Sequence, residues 1–169
     1  RREVLTASDL RDVVLNMSKE VVKRIVEVYT PKEELPEEWD LSGLVDQLES
    51  VFFPEGYLDE SDLEDLEAKE IISHICKQVE AYYDQRVEEL GFERLQEFSK
   101  VVILRTVDRK WMDHIDAMDQ LRQGIHLRAY GQANPLREYQ FEGFEMFEQM
   151  VREIQEEVVK YVMKSSIGE

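Results

Sequence analysis

The sequence has one cysteine in 169 residues, Cys76. That excludes an internal disulfide framework, and one thiol cannot by itself build a metal centre. Proline is scarce as well. Only Pro31, Pro36, Pro54 and Pro135 occur, so long stretches are free of the residue that most strongly interrupts helices. The seven glycines stand at 43, 56, 91, 124, 131, 143 and 168. None opens a Gly-x-x-x-x-Gly-Lys-Ser/Thr phosphate cradle or a Gly-x-Gly-x-x-Gly turn, so those nucleotide motifs are missing. No apolar run approaches the roughly 20 residues that a membrane-spanning helix needs, and no signal-peptide pattern opens the chain. Bases are almost absent from one region: positions 33–70 carry 15 acids against a single base, Lys69. A duplex-binding surface needs the opposite sign, because phosphate contacts supply most of the affinity.

What is there is ordinary for a folded protein: 43% hydrophobic residues, 9% aromatics and a net charge of −17. The length fits one domain or two small ones with a real core. The chain starts Arg-Arg rather than Met, which reads as a piece of a longer protein.

The apolar spacing is helical throughout, with no strand-like alternation of any length. Ser8 is placed to cap a helix over residues 8–29, with Leu10, Val13, Val14, Met17, Val21, Ile25 and Val28 on one face. Pro31 and Pro36 interrupt it, and Trp39 stands at the end of the loop as a hydrophobic plug or, alternatively, a stacking platform. A short helix over 41–52 turns Leu41, Leu44, Val45, Leu48 and Phe52 inward. The acidic stretch 59–67 touches down through Leu58, Leu63 and Leu66. It has no glycine where a calcium loop needs one, so it reads as a solvated face. A third helix over 68–90 buries Ile71, Ile72, Ile75, Val79, Tyr82 and Tyr83, and ends at Gly91, a positive-φ cap or a mild break.

Residues 92–150 read as a helical hairpin. The first helix, 92–123, would extend roughly 48 Å at about 1.5 Å per residue. Its expected stripe is Leu95, Phe98, Val101, Leu104, Trp111, Ile115 and Met118, with Val102 and Leu121 alongside. Gly124 weakens continuation, and Asn134-Pro135 is a strong restart. The second helix carries Leu136, Tyr139, Phe144, Phe147, Met150, Ile154, Val158 and Tyr161. The fold class is therefore all-α: a small helical unit followed by a long antiparallel hairpin.

Searches for catalytic chemistry fail. His114, Asp113 and Asp116 lie close in HIDAMD, but a zinc helix needs two histidines four apart. A surface ion-pair role with Arg109 or Lys110 suits His114 better. His74 and Cys76 point to different faces, and no nucleophile elbow is present. Between Gln120 and Leu136 no acid occurs, leaving a tip that carries Arg122, His126 and Arg128. Tyr130, set between Ala129 and Gly131, is either a contact residue or local packing over the turn.

The run WMDHIDAMDQLRQGIHLRAYGQANPLREYQFEGFEMF at 111–147 resembles the C-terminal region of the SecA family, the ATP-driven motors of bacterial preprotein translocation. YTPKEELPEEWDLSGL at 29–44 resembles its helical wing. The resemblance implies a wing over 1–90 and a helical scaffold segment over 91–169 whose two-helix finger has its tip at about 123–134. It implies no catalytic residue and no metal in this stretch, with ATP and magnesium confined to motor domains elsewhere. It implies contact of Tyr130, Arg128, Leu127, His126 and Gln132 with the preprotein and the SecYEG channel, and packing or regulation through Trp111, Met118 and Leu121. It further implies the motor domains as partners, no nucleic acid, and a cytoplasmic protein peripherally associated with the inner membrane. A first scaffold helix packing along the hairpin would lie outside these residues, so homo-oligomerisation of the stretch is expected. Two other readings remain at this stage. One is a free-standing regulatory or nucleic-acid module using Arg122, Arg128, Arg137 and Tyr130. The other is an enzyme using the acidic cluster.

Overall fold

Helix breakers and caps divide the chain much as their chemistry demands. The computed structural model describes residues 9–128 and 134–166. Among them every regular element is helical: α1 (Arg11–Tyr29), α2 (Leu41–Phe52), α3 (Ala68–Leu90), α4 (Phe92–Arg128) and α5 (Pro135–Lys164). Short 3-10 turns at Pro36–Glu38 and Glu60–Leu63 bridge the loops on either side of α2. The all-α expectation holds.

The starts of the helices are set by side chains that accept unpaired amides of the first turn. Ser8 lies outside the described residues. Beside α1, Asp9 Oδ1 accepts from Arg11 N at 2.8 Å, and Leu10 N donates to Gln96 Oε1 of α4 at 3.0 Å. Asp40 caps α2 by accepting from Gly43 N at 2.9 Å. A β-carbon at 43 would sit 2.3 Å from Asp40 Oδ2, so a larger residue there must displace the capping carboxylate. Glu67 and Glu70 form a reciprocal capping box at α3. Asn134 Oδ1 accepts from Arg137 N at 3.1 Å, with Pro135 at the first helical position of α5. α3 stops at Gly91, whose φ of +92° is a conformation that side chains disfavour.

Three helical faces differ from the spacing-based expectation, α5 among them, since its Leu136, Phe144, Phe147 and Tyr161 are exposed. α1 buries Val14, Ser18, Val21, Val22 and Val26, while Val28 is exposed. Ser18 fits inside because its hydroxyl donates to Val14 O at 2.8 Å. On α4 the buried positions are Leu95, Ser99, Ile103, Thr106 and Ile125, whereas Val101, Trp111 and Ile115 are exposed. Small polar residues occupy the seam against the neighbouring helix, and the bulky ones flank it. α4 also runs straight through Gly124 to Arg128. A helical glycine costs only about 1 kcal/mol, and burial of Ile125 offsets it.

The core is centred on the second half of α5. Met150, Ile154, Val158, Val159, Val162 and Met163 are buried, and they join residues of α1, α2, α3 and α4 in one apolar cluster. α1 packs on α3 and α5, α2 packs on α5 and α1, and α4 runs alongside α5. Phe53, Tyr57 and Tyr82 close one side, with Phe53 and Tyr57 stacked at 4.8 Å and Tyr82 edge-on to both. The result is a helical base. From it the far half of α4 and the near half of α5 leave as a two-helix arm.

Candidate functional site

The arm is built by register. Met118 faces Gly143, where an added β-carbon would lie 2.7 Å from Met118 Cε, so glycine permits a close helix approach. Nearer the base, His114 lies 5.8 Å from Phe147 across the pair and 5.5 Å from Trp111 on its own helix. Nearer still, Lys110 Nζ reaches Glu153 at 3.1 Å and Glu157 at 3.4 Å, and Arg109 pairs with Glu157. The sequence placed His114 in an ion pair with Arg109 or Lys110. Instead those cations cross to α5, and the imidazole packs between two rings. Spacing within α4 could not reveal this, because both acids lie more than 40 residues downstream.

This cross-arm cluster is also electrostatically tuned. The Gln149 amide and then Lys110 hold the Glu153 carboxyl below its usual range. The Glu153 carboxylate, with Glu157 beside it, raises the Lys110 ammonium. Both shifts favour the charged forms, as expected for opposite charges within hydrogen-bond reach.

The large apolar side chains of the arm are unusually open. Trp111 is 47% exposed, Phe144 63% and Phe147 41%, with Ile115 and Phe141 also exposed. Met118 and Leu121 are half-buried. At the end of α4, His126 is exposed and Leu127 is 77% exposed. Arg128 is the last residue of that helix. Tyr130 and Gln132 lie outside the described residues. The structure therefore brings His126 and Leu127 together at the arm's end and sets Trp111, Met118 and Leu121 along its length.

The other sites weighed from the sequence carry no reactive arrangement. Burial pushes the Cys76 thiol up, against the opposing pull of Lys19, so the reactive thiolate is disfavoured. Asp59 is held below the ordinary carboxylate range by the Ser61 hydroxyl and amide, a local turn rather than a ligand cage. Among the described residues no three metal-ligating side chains converge. None of the helices there is long and apolar enough to cross a membrane.

The sequence is similar to known proteins over nearly its whole length. The family model described as the SecA Wing and Scaffold domain covers residues 1–166. The protein translocase subunit SecA of Pelotomaculum thermopropionicum is 47% identical over 167 residues. That match takes in 99% of this chain but only 19% of the relative's length. The wing and scaffold region is a non-catalytic part of SecA, and the 169 residues hold none of its nucleotide-binding domains. The helices of the base and arm and the match over nearly every residue agree: the chain belongs to the SecA wing and scaffold family.

Proposed function

We propose that this chain serves as the non-catalytic lever of an ATP-driven preprotein translocase. Residues 1–90 act as the wing and 91–169 as the scaffold segment, and the arm meets the preprotein and the SecYEG channel. In this reading ATP and magnesium act in motor domains outside the chain. The arm couples to those domains and restrains them, at the cytoplasmic face of the inner membrane. The observation that carries it is the arm itself: two long antiparallel helices whose outer half keeps Trp111, Phe144 and Phe147 open to solvent. Its end, from Gln120 to Leu136, holds no acid. A stiff helical hairpin transmits a push that a loop would absorb. An aromatic at its tip offers contact area at low conformational cost, without demanding a particular sequence.

The test is Tyr130→Ala in the complete translocase. Transport per ATP hydrolysed falls sharply, Tyr130→Phe retains most of it, and the 169-residue chain melts unchanged. Unaffected transport removes the tip from substrate contact, and a melting point several degrees lower makes Tyr130 a packing residue. The chain alone shows no saturable heat with magnesium-ATP, and micromolar binding would contradict the division of labour. The nucleic-acid alternative is disfavoured by the net charge of −17, which opposes phosphate binding. A steep loss of oligonucleotide binding with salt would revive it.

A further inference from the structure

At one end of the base the last turns of two helices, α2 and α5, are each met by a cation from another helix. Lys164 Nζ of α5 donates to Glu49 O, in the last turn of α2, at 2.8 Å. Arg86 Nη2 of α3 donates to Ser165 O, the residue that ends α5, also at 2.8 Å. α2 has no basic residue in its own last turn. A helix C-terminus carries partial negative charge, so Lys164 supplies a cation that α2 lacks, while Arg86 meets the end of α5. Arg86 is 8% exposed and Glu49 7%. The Glu49 carboxylate turns back to accept from Leu58 N at 2.9 Å, fixing the turn that follows α2. These contacts span 79 and 115 residues of sequence. Val162, Met163, Phe52 and Phe53 are fully buried in the core that these contacts close.

We infer that Lys164, Glu49, Arg86 and Ser165 form a clasp that ties the C-terminal parts of α2, α3 and α5 into one cooperative unit of the base. These bonds link Arg86 to the end of α2 through the end of α5, beside the direct packing of Tyr82 on Phe53. The inference concerns the chain itself and does not depend on the translocation reading.

Amide exchange in the 169-residue chain tests it. Lys164→Met raises exchange about tenfold at Phe52 and Phe53 as well as at Val162 to Lys164, the loss expected for one charge-assisted bond in a cooperative segment. Arg86→Met, which removes the bond to Ser165 O, raises it at the same α2 amides. Lys164→Arg, which keeps a donor, restores protection. Circular dichroism confirms that helix content is kept. If Arg86→Met disrupts the fold, the exposed Lys164→Met variant decides. Exchange confined to α5 in Lys164→Met, with the α2 amides unchanged, overturns the clasp.

Discussion

Met118 and Gly143 meet across the two arm helices, and the only atoms in the way of a β-carbon at 143 belong to the flexible end of Met118. Gly143→Ala should therefore be nearly neutral. Alanine gains about 1 kcal/mol of helix propensity, against the cost of moving one methyl group. Gly143→Leu cannot be absorbed in this way and should separate the helices, costing about 1–3 kcal/mol as overpacking. Urea unfolding of the two variants checks the difference. Adding Met118→Ala should rescue most of the leucine variant's loss.

Ser99 is fully buried, and among the described residues its hydroxyl has no hydrogen-bond partner. Removing an unsatisfied buried polar group relieves its desolvation cost, and alanine is the better helix former. Ser99→Ala should stabilise the chain by about 1 kcal/mol. Calorimetry reads this as a higher melting temperature, and a lower one would show that the hydroxyl has a partner in solution.

Acid should loosen the arm through Glu153. Its carboxyl is held below the usual range, so its contribution is present above the unfolded value, about 4.3. It is lost as pH falls through the lower folded value. The carboxylate is 43% exposed, so solvent screening keeps the effect below about 1 kcal/mol. Glu153→Gln should flatten this acid limb of a pH-melting series. High salt should shrink the difference from the parent chain.

At the alkaline end the relevant group is Tyr83, whose phenol is pushed up to about 12, chiefly by burial, with Asp9 adding to the shift. Its contribution is complete below about pH 10 and disappears as pH rises through about 12. A phenolate absorbance titration should show a late component, to which Tyr57, also raised by burial, contributes, and Tyr83→Phe should remove the latest step.

The arm's open Trp111, Phe144 and Phe147 should make the isolated chain associate with concentration, because exposed apolar patches of several hundred Å² usually gain a partner. Sedimentation velocity with Phe144→Ser as control measures this. A monomer at every concentration would mean that the patch is too small or too divided.

The bounds read from sequence for α2 and α3, 41–52 and 68–90, match the structure, and Gly91 marks the end of α3 chemically, whereas the caps at Asp40 and Glu67–Glu70 became visible only in the structure. The hairpin was legible for a similar reason, its restart at Asn134-Pro135 being a local signal. The buried faces of α1 and α4 were less legible. A helix that alternates small polar and large apolar residues has two defensible stripes, and the neighbouring helix selects one. Tertiary contact selected Ser99 and Thr106 for the seam of α4 and left Trp111 at its edge. The cross-arm ion pairs and the clasp were illegible from spacing, since their partners lie 43 to 115 residues apart. The tip residues His126 and Leu127 stood out through the missing acids around them, a compositional signal that needs no fold.

The position of the core half of α5 also bears on how the chain folds. α1 and α2 find much of their apolar partner surface on residues 150–163, which a ribosome delivers only after the whole arm has been made. Until then Val14, Val22, Leu44 and Leu48 have no complete surface against which to close. Long-range closure of this kind slows folding and leaves apolar surface exposed to chaperones and aggregation. A nascent chain halted before Met150 should therefore be held open, protease-sensitive along α1 and α2, and should become resistant only when the last turns of α5 emerge.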